Sequence, residues 1–145
     1  MTTQLRLISV SGLVFAVTVF CVLPSGTVPL AAQTTGTYKT VYDGWKWWHV
    51  YCYRCHGVDA VGTTNAPNLT DPNNKLSSAE FMKIVMNGVP DKGMQAWDKL
   101  LDKKQVSEIH LYVRARSDKV LPPGRPDEVG PNGKPWVPPA GWPSK

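Results

Sequence analysis

The sequence predicts a small all-α domain carrying an extended C-terminal arm, and three observations predict it. Two segments open with helix-start signals and continue with apolar residues at helical spacing. These are Ser77-x-x-Glu80 ahead of Phe81 and Val85, and Asp102-x-x-Gln105 ahead of Val106, Ile109, Tyr112 and Val113. A third stretch sets Gly44, Trp48 and Cys52 at i, i+4 and i+8, which is one face of a helix. The last 25 residues hold eight Pro and four Gly. Such a segment lacks backbone donors and has φ fixed at many positions, so it can be neither helix nor central strand. A chain of 145 residues accommodates one such domain.

The N-terminus reads as an export signal over residues 1–32. Arg6 is the only charge before Lys39, and the apolar run 7–23 is followed by Pro24, Gly26, Pro29 and then Ala31-Ala32. Positive, apolar, small is the order a cleavable secretory signal requires, with Ala32 at the cleavage position. The competing reading is an uncleaved membrane anchor, because the run lies at the short edge of a spanning helix. Cleavage would remove Cys21 and leave fifteen cationic against eleven acidic side chains, a net +4. Residues 33–40, rich in Thr with Gly36, read as a flexible lead-in to a domain over 41–120.

The remaining cysteines lie in one motif, Cys52-Tyr53-Arg54-Cys55-His56, a C-x-x-C-H. On a helical turn, thiols three residues apart face the same way and can add to the two vinyl groups of one haem. The next residue, His56, then reaches the iron through an imidazole nitrogen. A plain disulfide, a thioredoxin-like pair and a zinc site also use C-x-x-C. The thioredoxin reading wants a strand ahead of the motif, where residues 43–51 show three Trp and no alternation. Zinc would want two more strong ligands, and only His49 and His110 remain.

An electron-carrying haem iron commonly takes Met as its second axial ligand. Met82 and Met86 fall on the apolar stripe of the segment that Ser77 opens and Gly88 stops, which suits core packing. Met94 lies in a Gly- and Pro-containing loop just ahead of Trp97. It is the expected sixth ligand, with a buried loop Met as the alternative, and Trp97, Trp45 and Trp47 are candidates for the pocket wall or the partner surface.

With these residues in place, the stretch 42–119 resembles the class I c-type cytochromes. The resemblance implies three to five helices around one covalently bound haem c, attached at Cys52 and Cys55 and ligated by His56 and Met94. It implies that Gly44 lets Tyr112 approach closely where the first and last helices cross. It also implies that the Pro67 carbonyl, in Ala66-Pro67-Asn68-Leu69, accepts a hydrogen bond from the ligating imidazole. One departure is Gln95, where the family often has Pro after the ligand Met.

The arm over 121–145 carries Trp136 and Trp142, which suit packing of an extended segment on the domain. Its Pro/Gly/Trp pattern is similar to tails on small cytochromes that accept electrons from quinoprotein (PQQ) alcohol dehydrogenases. That likeness implies a periplasmic electron carrier, itself not an enzyme. It would pass single electrons by outer-sphere transfer from such a dehydrogenase to another cytochrome or a terminal oxidase of the respiratory chain. Alternatives are another periplasmic donor, such as a sulfite-oxidising dehydrogenase, and a haem enzyme with an open sixth iron position. The absence of any run of clustered cations excludes a nucleic-acid arm. Lys75, Lys92, Lys99, Lys103 and Lys104, near the ligand loop, would steer an acidic partner. A membrane enters only if the signal segment stays uncleaved.

Overall fold

The computed structural model describes residues 29–143. Four α-helices make up the domain: α1 (Leu30–Tyr51), the single turn α2 (Tyr53–His56), α3 (Ser78–Asn87) and α4 (Lys103–Ser117). Among the described residues there is no strand, only an isolated bridge between Val89 and Met94. Residues 1–28 of the predicted export segment lie outside the described residues, and residues 30–32 form the first turn of α1.

The stretch 33–40, expected to be a flexible lead-in, is helical throughout. The Thr content that suggested flexibility is accommodated by back-bonding along the helix. The hydroxyls of Thr34 and Thr35 donate to Ala31 O, and that of Thr40 to Gly36 O, each at 2.9 Å. A hydroxyl satisfied three or four residues back no longer competes with the helical ladder.

The two predicted caps form as complete capping boxes. Ser77 Oγ accepts from the Glu80 amide while the Glu80 carboxylate accepts from Ser77 N at 2.9 Å. Asp102 Oδ1 accepts from Gln105 N at 2.8 Å, and Gln105 Oε1 accepts from Asp102 N at 2.9 Å. Each box satisfies two orphan amides of a helix start.

The core forms where α1 crosses α4. Val41, Gly44 and Trp48 of α1 are buried against Val106, Ile109, Tyr112, Val113 and Ala115 of α4. Gly44 is required at the crossing, because a Cβ there would stand 2.0 Å from Glu108 O and 2.5 Å from Glu108 C. The closest approach to Gly44 is therefore the Glu108 backbone, not Tyr112 as the resemblance implied. Tyr112 lies one turn further along α4 and packs on Trp48, with ring centroids 5.8 Å apart. Two helices this close must place backbone over backbone, so a bulky side chain is displaced to the next turn.

α3 lays Phe81 and Val85 into the same core, and Phe81 tilts over His110 of α4 at 4.8 Å. The arm beyond α4 folds back onto the domain. Leu121, Pro126, Trp136 and Pro138 are buried. Trp136 Nε1 donates to Val120 O at 2.8 Å and Trp142 Nε1 to Asp118 Oδ2 at 3.0 Å. The two indoles meet edge to face at 5.8 Å.

Candidate functional site

The C-x-x-C-H motif straddles the junction of two helices. Cys52 closes α1, its amide bonding to Trp48 O at 2.9 Å, and Cys55 and His56 lie in the single turn of α2. Gly57 ends that turn at φ +78°, a left-handed conformation that frees the chain to leave the helix. The Trp48 indole holds the junction from below, donating from Nε1 to Gly57 O at 2.9 Å and lying 5.8 Å from the His56 ring.

The loop after the motif is aimed by a second glycine. Gly62 adopts φ +80°, and a Cβ there would meet Asn68 N at 2.5 Å and Pro67 C at 2.9 Å. Gly62 N donates to His56 O at 2.8 Å, and Leu69 N donates to Ala60 O at 2.9 Å. Together these contacts place Pro67 O 3.1 Å from His56 Nδ1. A carbonyl can only accept, so Nδ1 carries the proton and Nε2 is the nitrogen left with a lone pair for a metal.

Cys55 is exposed and Cys52 half-buried, and neither is bonded to the other. Burial pushes the Cys52 thiol up to about 12, with Cys55 acting in the same direction. A buried thiol of raised pKa is a poor attacking nucleophile, so Cys52 would not start thioredoxin-like exchange. Among the described residues no group of three or more His, Cys, Asp or Glu could hold a metal ion, which leaves the zinc reading without ligands. Two thiols one helical turn apart, with an adjoining imidazole already oriented through Nδ1, are the donor set a covalent haem requires.

Met94 sits at the end of a small closed loop. Val89 N donates to Met94 O at 2.8 Å and Met94 N to Val89 O at 3.2 Å, around a turn over Pro90–Lys92. Gly88 and Gly93 take φ +70° and +79°, and a Cβ on Gly88 would collide with Ala96 N at 2.5 Å. Trp97 N bonds to Val85 O at 3.1 Å, and the Trp97 ring meets Tyr51 edge-on at 5.6 Å. That ring contact brings the Met94 loop to the residue beside Cys52. Met82 and Met86 are half-buried on α3 and packed against the core.

Trp45 and Trp47 make contacts across α1, and Trp47 also stacks on Tyr51 with ring centroids 6.5 Å apart. Trp47 Nε1 donates to Glu108 Oε2 at 3.0 Å across the helix crossing, and Arg125 of the arm lies over Trp45 at 5.6 Å. Several of the expected steering lysines are partnered: Lys75 with Asp118 at 2.5 Å, Lys99 with Asp98 at 3.3 Å, and Lys104 with Glu108. The Lys75–Asp118 pair joins positions 43 apart, which cannot be read from charge runs. Sequence reasoning also missed Arg116, buried on α4, which donates to Leu121 O at 2.6 Å and lies 3.8 Å from Asp59 Oδ1. It ties the loop after His56 to the root of the arm. Two cavities lie elsewhere, around His110 between the start of α3 and α4, and no motif residue lines either.

Comparison with known proteins gives a consistent result. A family model described as cytochrome c oxidase, cbb3-type, subunit III matches residues 39–113. The chain is 29% identical over 112 residues to cytochrome c-555 of Methylococcus capsulatus, covering 74% of this chain and 87% of that protein. Among solved structures it is similar to the c-type cytochrome XoxG from Methylobacterium extorquens AM1, at 31% identity and a TM-score of 0.53. That match covers 60% of this chain and 56% of the other, so this chain spans little more than half the length of that relative. Cytochrome CL from the marine methylotrophic bacterium Methylophaga aminisulfidivorans matches at 17% identity and a TM-score of 0.48, over 68% of this chain and 77% of that one.

Proposed function

The chain belongs to the c-type cytochromes, as a monohaem electron carrier with covalently bound haem c, and from that premise we propose which residues hold the group and whom it serves. Cys52 and Cys55 would form the thioether links, and His56 and Met94 would hold the iron. Pro67 orients His56, and Trp97 borders the pocket. The observation that carries the assignment is the 3.1 Å contact of His56 Nδ1 with Pro67 O, which fixes the tautomer and presents Nε2.

The haem, when attached, supplies a one-electron couple, and the protein supplies its position and surroundings. Pro67 keeps the imidazole from rotating, and a hydrogen bond to its far nitrogen makes it a stronger donor. The Val89–Met94 bridge and the Tyr51–Trp97 contact hold the thioether loop beside the motif. A Met sulfur in this position raises the reduction potential relative to harder ligands. With His56 and Met94 both held by the fold, the group they would hold would supply outer-sphere electron transfer without a bound substrate.

The protein works in the periplasm, delivered there by residues 1–32. Its donor is a quinoprotein alcohol dehydrogenase, and its acceptor another cytochrome or a terminal oxidase. Supporting the donor is the arm over 121–145, whose Pro/Gly/Trp pattern resembles tails of cytochromes serving such enzymes. The test has two stages. Haem staining of a denaturing gel of the exported protein must be positive, and a colourless band would end the reading. A purified PQQ alcohol dehydrogenase must then reduce the cytochrome within its own turnover time; no reduction by any such enzyme would remove that donor.

A further inference from the structure

Consecutive carbonyls follow His56 in the chain, and each accepts a hydrogen bond from a side chain of the helix crossing. Gly57 O accepts from Trp48 Nε1 at 2.9 Å, Val58 O from the Tyr112 hydroxyl at 3.1 Å, and Asp59 O from Arg116 Nε at 3.4 Å. Tyr112 and Arg116 stand one turn apart on α4, so their side chains leave the helix on the same side. Both are buried. Burial pushes the Tyr112 phenol above its ordinary value, so the hydroxyl keeps its proton and stays a donor. Arg116 is fixed from its other edge as well, through Nη1 to Leu121 O at 2.6 Å.

The next residue shows what these donors sustain. Ala60 is fully buried and takes φ +63°, a left-handed conformation that is costly for a residue with a Cβ. Such a backbone persists only where its surroundings over-determine it. Ala60 O in turn accepts from Leu69 N at 2.9 Å, just beyond Pro67 in the chain. The conformation at Ala60 thus bears on where Pro67 O meets His56 Nδ1.

We propose that Tyr112 and Arg116 are positioning residues for the iron ligand. From α4 they fix residues 58–60, and through the Ala60–Leu69 bond they keep the Pro67 carbonyl on His56. The inference rests on His56 serving a covalently attached haem. A well-aimed hydrogen bond from Nδ1 makes the imidazole a stronger donor through Nε2, and a stronger donor favours the more highly charged ferric state. When the loop loosens, that bond weakens, the ferric state loses support and the reduction potential rises. A merely structural role would lower stability and leave the potential where it was.

The test uses the intact haem-loaded protein and two substitutions that leave its charge unaltered. Tyr112→Phe removes one hydroxyl and keeps the ring on Trp48. Arg116→Lys keeps the cation but loses the planar group that reaches Asp59 O and Leu121 O together. Val41→Ala is the control, since it thins the same core and touches none of these hydrogen bonds. Redox titration gives the midpoint potential, and proton NMR of the ferrous protein gives the exchange rate of the His56 Nδ1 proton. Each substitution on α4 should raise the potential and speed the exchange, and the double variant should do so more than either. Val41→Ala should change neither. Either quantity unmoved in Tyr112→Phe, or moved as far in Val41→Ala, overturns the positioning role; should Arg116→Lys fail to fold, Tyr112→Phe alone decides. Haem staining of the wild type beforehand separates the failures. An unstained protein defeats the electron-carrier reading and this inference together, whereas a stained protein with unmoved variants defeats the inference alone.

Discussion

The indole of Trp48 donates a 2.9 Å hydrogen bond to the carbonyl of Gly57, linking the floor of the helix crossing to the residue that follows His56. The same ring packs on Tyr112 of α4 and stands 5.8 Å from the His56 ring. One side chain thereby joins core packing to the position of the candidate ligand. Trp48→Phe keeps most of the packing and leaves the Gly57 carbonyl without its donor. Denaturant unfolding should show a loss of about 1–3 kcal/mol. A smaller loss would mean that the carbonyl finds another donor.

Gly44 is the second point at which the crossing is sensitive. A methyl group there overlaps the backbone of Glu108, which no rotamer change relieves. Gly44→Ala should therefore cost about 3 kcal/mol, at or beyond the upper end of ordinary overpacking, despite the better helix propensity of Ala. Thermal unfolding monitored by circular dichroism checks it.

Met94→Ala should retain the haem on a denaturing gel, since the thioether links are untouched. It should also lose the weak far-red absorption band of a methionine-ligated ferric haem and lower the reduction potential. If Met82→Ala or Met86→Ala loses the band and Met94→Ala keeps it, the ligand lies on α3.

Acid stability should report on His110. Burial under Phe81 pushes its imidazole below the ordinary value of 6.5; the Leu76 carbonyl, 3.2 Å from Nε2, opposes this, and the nearby Arg114 adds to the lowering. Its pKa is thus lower folded than unfolded, so on acidification the unfolded chain takes the proton first. The stabilisation is fully present above the unfolded value and is lost as pH falls through it towards the folded one. Between about pH 7 and 5, denaturant midpoints should fall less steeply in His110→Gln than in the wild type.

The arm is held largely by Trp136, whose ring is buried and whose Nε1 bonds to Val120 O. Trp136→Ala should cost about 3–5 kcal/mol and make the arm susceptible to proteolysis. Limited digestion that leaves the variant arm as resistant as the wild type would show the remaining contacts suffice.

The readable parts of this protein depend on residues three or four apart. Both capping boxes, the stop at Gly88 and the spacing of Cys52, Cys55 and His56 are of that kind. Residues 33–40 misled for an equally local reason. Thr residues and Gly36 lower helix propensity, yet the Thr hydroxyls found carbonyls one turn back. The pairing of Lys75 with Asp118 and the burial of Arg116 beside Asp59 join residues more than forty positions apart, and no local pattern marks them.

By itself the sequence determined the two capped helices, the buried face of α1 from Gly44 to Cys52, the C-x-x-C-H motif and the Pro-rich character of the arm, because each follows from short-range sterics and hydrogen bonding. Only the tertiary structure decided that Glu108 and not Tyr112 lies over Gly44, that Tyr51 meets Trp97 beside the motif, and that Arg125 covers Trp45. Helical spacing fixes which residues share a face but leaves free the register and rotation of one helix against another. Those are settled by how closely two backbones can approach, and here a missing Cβ at Gly44 sets that distance.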